Sequence, residues 1–90
     1  MLMNTQMQSR SYPLNLATEN ELLSVMGIKA DKQIQARLAA MGIVEGAILQ
    51  VVNRQAANGG LVVRCGETRW ALDKSVSYRI FVIPATREEN

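Results

Sequence analysis

Ninety residues, 48% of them hydrophobic, make one domain with a modest core and argue against global disorder. A formal charge of +2, from ten basic and eight acidic residues, is too small to point by itself to nucleic acid or an anionic membrane. With no histidine and a single cysteine, Cys65, one chain has no internal disulfide, no His–Cys metal cluster and no Ser-His-Asp or Cys-His catalytic set.

Other classes fall away on pattern. No glycine is followed by Lys-Ser or Lys-Thr, so the Walker phosphate loop is absent. No apolar run approaches the roughly 20 residues of a membrane span. The polar N-terminus lacks the apolar block of a signal peptide, so a cytoplasmic location is the expectation.

Residues 1–13 read as a flexible tail: Gln, Asn, Ser and Thr without period, ending at Pro13. Residues 18–28 carry two readings. Thr18-Glu-Asn-Glu21 matches a helix capping box, with Leu22, Leu23, Val25 and Met26 as the apolar face. Equally, Leu23 and Val25 alternate with Leu22, Ser24 and Met26, as a strand would. Local signals lean towards helix.

Residues 31–41 predict a three-turn helix. Asp31 suits the N-cap, because its carboxylate accepts first-turn amide hydrogens and favours the helix dipole. Ile34, Leu38 and Met41 fall at i, i+4 and i+7. Gly42 stands where the helix stops, free to take the left-handed conformation that a Cβ resists. Ile43 then meets Leu38 across the cap. Gly46 supplies a second positive φ, as the third residue of a type II turn.

After Gly46 the pattern turns to strands. Ile48–Val52 is rich in β-branched residues, and Asn58-Gly59-Gly60 marks a turn. Leu61–Cys65 and Thr68–Leu72 flank Gly66-Glu67, a two-residue hairpin loop with glycine first. Asp73–Ser77 reads as a short connection. Arg79–Ile83 is a last strand ended by Pro84, and residues 85–90 read as a loose charged tail.

Taken together, Arg37-Leu-(two residues)-Met41-Gly-Ile-(two residues)-Gly46, a strand ending Val51-Val52, a glycine turn, Ala71-Leu72 and Ile80-Phe-Val82 resemble the FeoA family. FeoA is the small cytoplasmic accessory protein of bacterial ferrous-iron uptake. The pattern also resembles the C-terminal SH3-like module of iron-dependent repressors. The likeness covers about residues 20–83. Glu45 replaces a proline common in the family, Asn20 stands near a missing turn glycine, and Ser77 replaces a small alanine.

The resemblance implies a mainly β fold over residues 14–84: a five-stranded SH3-like small barrel with one α-helix inserted after the first strand. It places that first strand near 21–27, against the local helix signals, because a barrel has to close. It implies no catalysis and no required cofactor. It implies contact with the cytoplasmic part of the membrane GTPase that moves ferrous iron, without nucleic acid or membrane insertion. Open strand edges would allow a weak homo-oligomer.

Leu38, Met41, Gly42, Gly46 and Leu72 are expected to build the fold. Arg37, Arg54, Arg64 and Arg69 are the interaction candidates, since a guanidinium offers a planar fork to carboxylates and carbonyls. The bland alternative for each is a solvated face. Trp70 is either a barrel residue or a half-exposed anchor beside the arginines. Cys65 reads as an apolar filler before a metal ligand, and a soft-metal role for the methionines is disfavoured, since three lie in the tail and Met41 fits the core. Two other functions stay open: a module that binds or senses Fe2+ or another divalent ion, and a small nucleic-acid-binding barrel, which the low charge and four aromatics disfavour.

Overall fold

The computed structural model describes residues 10–55 and 59–85. In chain order it contains β1 (Tyr12–Pro13), a 3-10 turn (Leu14–Leu16), β2 (Leu22–Ile28), α1 (Lys32–Ala40) and β3 (Ile48–Gln55). There follow β4 (Gly60–Cys65), β5 (Thr68–Leu72), α2 (Lys74–Ser77) and β6 (Ile80–Pro84). The strands form one sheet in the order β1-β6-β2-β3-β4-β5, antiparallel throughout. The mainly β class with a helix after the strand at 21–27 is as expected, but the sheet has six strands instead of five.

The extra strand is β1. Tyr12 and Pro13, assigned by sequence to the end of the tail, pair with Val82 and Phe81 of β6. Proline has no amide to donate, and an edge strand tolerates that loss. Residues 1–9 and 86–90, the rest of the expected tails, lie outside the described residues, as does Asn58 of the expected glycine turn.

The conflict over residues 18–28 ends as a strand. Thr18 caps no helix: its carbonyl accepts the Glu21 amide in a turn whose third residue, Asn20, has φ +70°. Asparagine adopts this conformation more readily than most residues. Leu23 and Val25 are buried while Leu22 and Met26 are exposed, the period of a half-buried strand. β2 lies between β3 and β6, so neighbours on both sides satisfy the main chain, and pairing overrides local preference.

α1 begins and ends as its sequence dictates. The Asp31 carboxylate accepts the Ile34 amide at 2.9 Å. At the other end Gly42 has φ +87°, and the amides of Gly42 and Ile43 donate to the carbonyls of Ala39 and Leu38, each at 2.9 Å. This is the Schellman closure. Gly46, φ +89°, is the third residue of a turn in which Ala47 donates to Val44. The Gly46 amide also donates to Val25, and Val25 donates to Ala47, so β2 holds the hinge on one side.

The core gathers Leu14, Leu23, Val25, Leu38, Ile43, Leu49, Val51, Leu61, Val63, Leu72, Ile80 and Val82. Met41 packs against it from the rim. The expected connection at 73–77 is instead a helical turn, α2. Inside it the fully buried Ser77 donates its hydroxyl to the Lys74 carbonyl at 3.4 Å. No described helix is long and apolar enough to cross a membrane.

Candidate functional site

Strand register lines up one row of outward side chains across four strands. Leu22 faces Gln50, Gln50 faces Arg64, and Arg64 faces Arg69. Arg64 and Arg69 therefore share a face beside the Gly66-Glu67 loop, where Gly66 has φ +66°. Two like charges directly opposite repel. Gln50 resolves the conflict: its Oε1 accepts from Arg64 Nη2 at 2.8 Å, while its Nε2 donates to the Asn20 carbonyl at 2.8 Å. Arg64 is drawn toward β3, away from Arg69. Arg69 has no hydrogen-bond or ion-pair partner among the described residues.

Leu22 within this row and Ile48 beside it are exposed, Ile48 at 47%, and with Gln50, Arg64 and Gly66 they line a shallow depression. Apolar area next to a guanidinium is the make-up of an interaction surface, since both supply contact energy at interfaces. Sequence reading reached Arg64 and Arg69 but passed over Leu22, Ile48 and Gln50. The signal was available in the alternation along β3, which turns Ile48 and Gln50 to one side and Leu49 and Val51 to the other.

The other candidates lie elsewhere. Arg54 braces the fold: its guanidinium donates to the Asn15 carbonyl at 2.8 Å and also to that of Ala17. Both acceptors belong to the turn after β1, so Arg54 is a tether within the chain. Arg37 lies on α1 and lines a groove of about 430 Å³ with Ile34, Met41, Leu72, Asp73 and Val76.

Trp70 pairs with the buried Val63 and so shares the core face of the sheet. It is half-buried, with its indole Nε1 inside and without an acceptor. It joins the core and is not part of the arginine face. Cys65 is half-buried, its sulfur 3.5 Å from the Gly42 carbonyl, packed against the helix cap as a small apolar filler. Among the described residues no three His, Cys, Asp or Glu side chains gather as a metal site. Leu38 and Leu72 are in the core, and Gly42 and Gly46 hold the positive-φ positions between α1 and β3.

The FeoA domain profile matches residues 12–84. The zinc-complexed FeoA of Stenotrophomonas maltophilia, an SH3 domain protein, is similar at 28% identity and TM-score 0.67, covering 79% of this chain and 88% of that one. An iron uptake regulatory protein (FeoA) gives 24% identity and TM-score 0.70, covering 80% of this chain and 93% of that one. A manganese-dependent transcriptional repressor gives 22% identity and TM-score 0.77 over 84% of this chain but only 42% of its own. No curated protein matches. The fold class is thus SH3-like, with the helix where the resemblance implied it.

Proposed function

We propose that this chain, which belongs to the FeoA domain family, is a cytoplasmic accessory protein that regulates the membrane GTPase of ferrous-iron uptake by direct contact. Membership in the family supports a role in ferrous iron transport. The observation that carries the contact reading is the outer sheet face, where exposed Leu22 and Ile48 adjoin Arg64 and Arg69. The Stenotrophomonas maltophilia relative has been suggested as a bacterial ferrous iron transport activating factor, which agrees with a regulator that works by touching another protein. The chemistry of the face fits a partner surface with apolar side chains and a carboxylate.

The test is titration of the purified chain into the transporter's cytoplasmic GTP-binding domain by calorimetry. Binding that Arg64→Glu weakens by about tenfold or more, while Arg37→Glu leaves it unchanged, supports the reading. Absence of binding, or equal losses in both variants, removes it.

A metal-binding role is the second reading, favoured by the zinc bound to the Stenotrophomonas maltophilia relative. Lacking histidine, this chain would draw on carboxylates, Cys65 or main-chain oxygens. Anaerobic calorimetry with Fe2+ and Zn2+ decides it, flat heats at millimolar metal counting against it.

A further inference from the structure

The sheet ends at β5, and the hydrogen-bond phase of that edge can be read across the ladder. The Val51 carbonyl accepts the Asn20 amide at 2.7 Å, on the β2 side of β3. Alternation along an antiparallel strand then turns the main chain of Gln50 toward β4, where it faces Arg64. One strand further, Cys65–Thr68, Val63–Trp70 and Leu61–Leu72 are the pairs that exchange bonds between β4 and β5. The main-chain groups of Arg69 and Ala71 therefore point away from β4, along the edge where the sheet ends. The side chains at these positions point to the outer face.

Asp73 continues the same phase, its backbone still extended at φ −71°, ψ 153°. Its carbonyl is occupied, accepting the amides of Val76 and Ser77 at 2.9 Å each, and its Oδ2 accepts the Ser75 hydroxyl at 2.7 Å. Its amide and the rest of its carboxylate remain for an outside partner, since a carboxylate has about four acceptor sites. The edge thus reads Arg69, Ala71, Asp73: a cation and an anion placed symmetrically about a small residue.

We propose that β5 is a self-association edge, on which two copies of this chain pair antiparallel about a two-fold axis at Ala71. In that register Arg69 of each copy stands opposite the partner's Asp73, and the two Ala71 residues exchange both of their main-chain bonds. The partner's Trp70 lies opposite Leu72, beside the groove lined by Ile34, Met41 and Val76. The register satisfies the open ladder, and each carboxylate neutralises an arginine that within one chain faces only Arg64. An isologous contact of this kind is self-complementary by construction. Shifting the axis to Arg69 would set the two arginines against each other, so charge selects the register. The contact is one strand wide, which makes the dimer weak beside the ~1,600 Å² of a standard interface.

Sedimentation velocity on the full chain, over micromolar to millimolar concentration and at low and high salt, tests this. The wild type is expected to dimerise, and Arg69→Asp alone to raise the dissociation constant by about tenfold or more. Combining Arg69→Asp with Asp73→Arg restores the opposite pairing and is expected to restore the dimer. Asp73 also starts α2, so Ala71→Pro serves as a second variant. It removes an amide that the single chain does not use and adds a ring at the axis, and it is expected to abolish the dimer with circular dichroism unchanged. A monomeric wild type at about 1 mM overturns the proposal. So does a folded Ala71→Pro or Arg69→Asp that still dimerises like the wild type.

Discussion

The Ile43 amide donates to the Leu38 carbonyl at 2.9 Å, and both side chains are buried within the same cluster. One bond therefore fixes where α1 stops and where its exit chain enters the core. Between them Gly42 holds φ +87°, and a Cβ there would meet the Cys65 sulfur at 3.4 Å. Gly42→Ala is expected to cost about 1–2 kcal/mol, from the left-handed backbone and not from a clash. Gly42→Asn should cost less, as Asn20 already holds φ +70° in this chain. Urea midpoints of the three proteins check the ranking.

Asp31 does the matching task at the helix start, accepting the Ile34 amide. Asp31→Ala is expected to lose about 1 kcal/mol, and Asp31→Ser to retain most of it, because serine also caps. The loss should fall on α1 first, visible as faster amide exchange at Ile34 and Gln35.

These two ends of α1 were legible because caps are local: Asp31, Gly42 and Gly46 act on residues within a few positions of themselves. The Gly66-Glu67 hairpin was legible for the same reason. β2 was not legible from its own residues, since Thr18 and Glu21 imitate a capping box and only pairing with β3 and β6 decides the matter. β1 is two residues long, too short to carry a period. In the candidate site, cross-strand neighbours Arg64 and Arg69 followed from the hairpin. The Gln50 link and the Arg54 tether join residues 14 to 39 positions apart, and no spacing rule reaches them.

Arg54 gives a prediction of its own. Arg54→Met keeps the stem but removes the donors to Asn15 and Ala17, leaving two carbonyls to find water. A stability loss of about 1–2 kcal/mol is expected, with amide exchange rising around Ala17 before the rest of the sheet. Arg54→Lys should recover only part, because one ammonium lacks the fork that reaches both carbonyls. Uniform exchange across the sheet in Arg54→Met would contradict the tether.

Gln50 holds Arg64 away from Arg69, so its removal should appear as a salt effect. Gln50→Ala leaves the two guanidiniums opposed across β4 and β5 without a guide. The variant is expected to be less stable at low ionic strength and to recover as salt screens the pair. The wild type should respond to salt more weakly. Parallel salt curves for the two proteins would remove this role for Gln50.

Tyr12 reports whether β1 is docked. Burial, and to a lesser degree the nearby Glu21 charge, raises its phenol above the ordinary value of 10.0. Between 10.0 and the raised value the unfolded chain releases a proton that the folded chain retains, so unfolding gains from each step up in pH. Stability contributed by the neutral phenol is complete below 10.0 and is lost as pH rises through the folded value. The difference in stability between wild type and Tyr12→Phe, followed from pH 8 to 11, subtracts what the lysines contribute. It is expected to be flat below pH 10 and to move against the wild type above it. Glu21→Gln should keep most of that decline, because burial is the larger cause, and a decline lost entirely with Glu21 would mean that Tyr12 is not packed on β6.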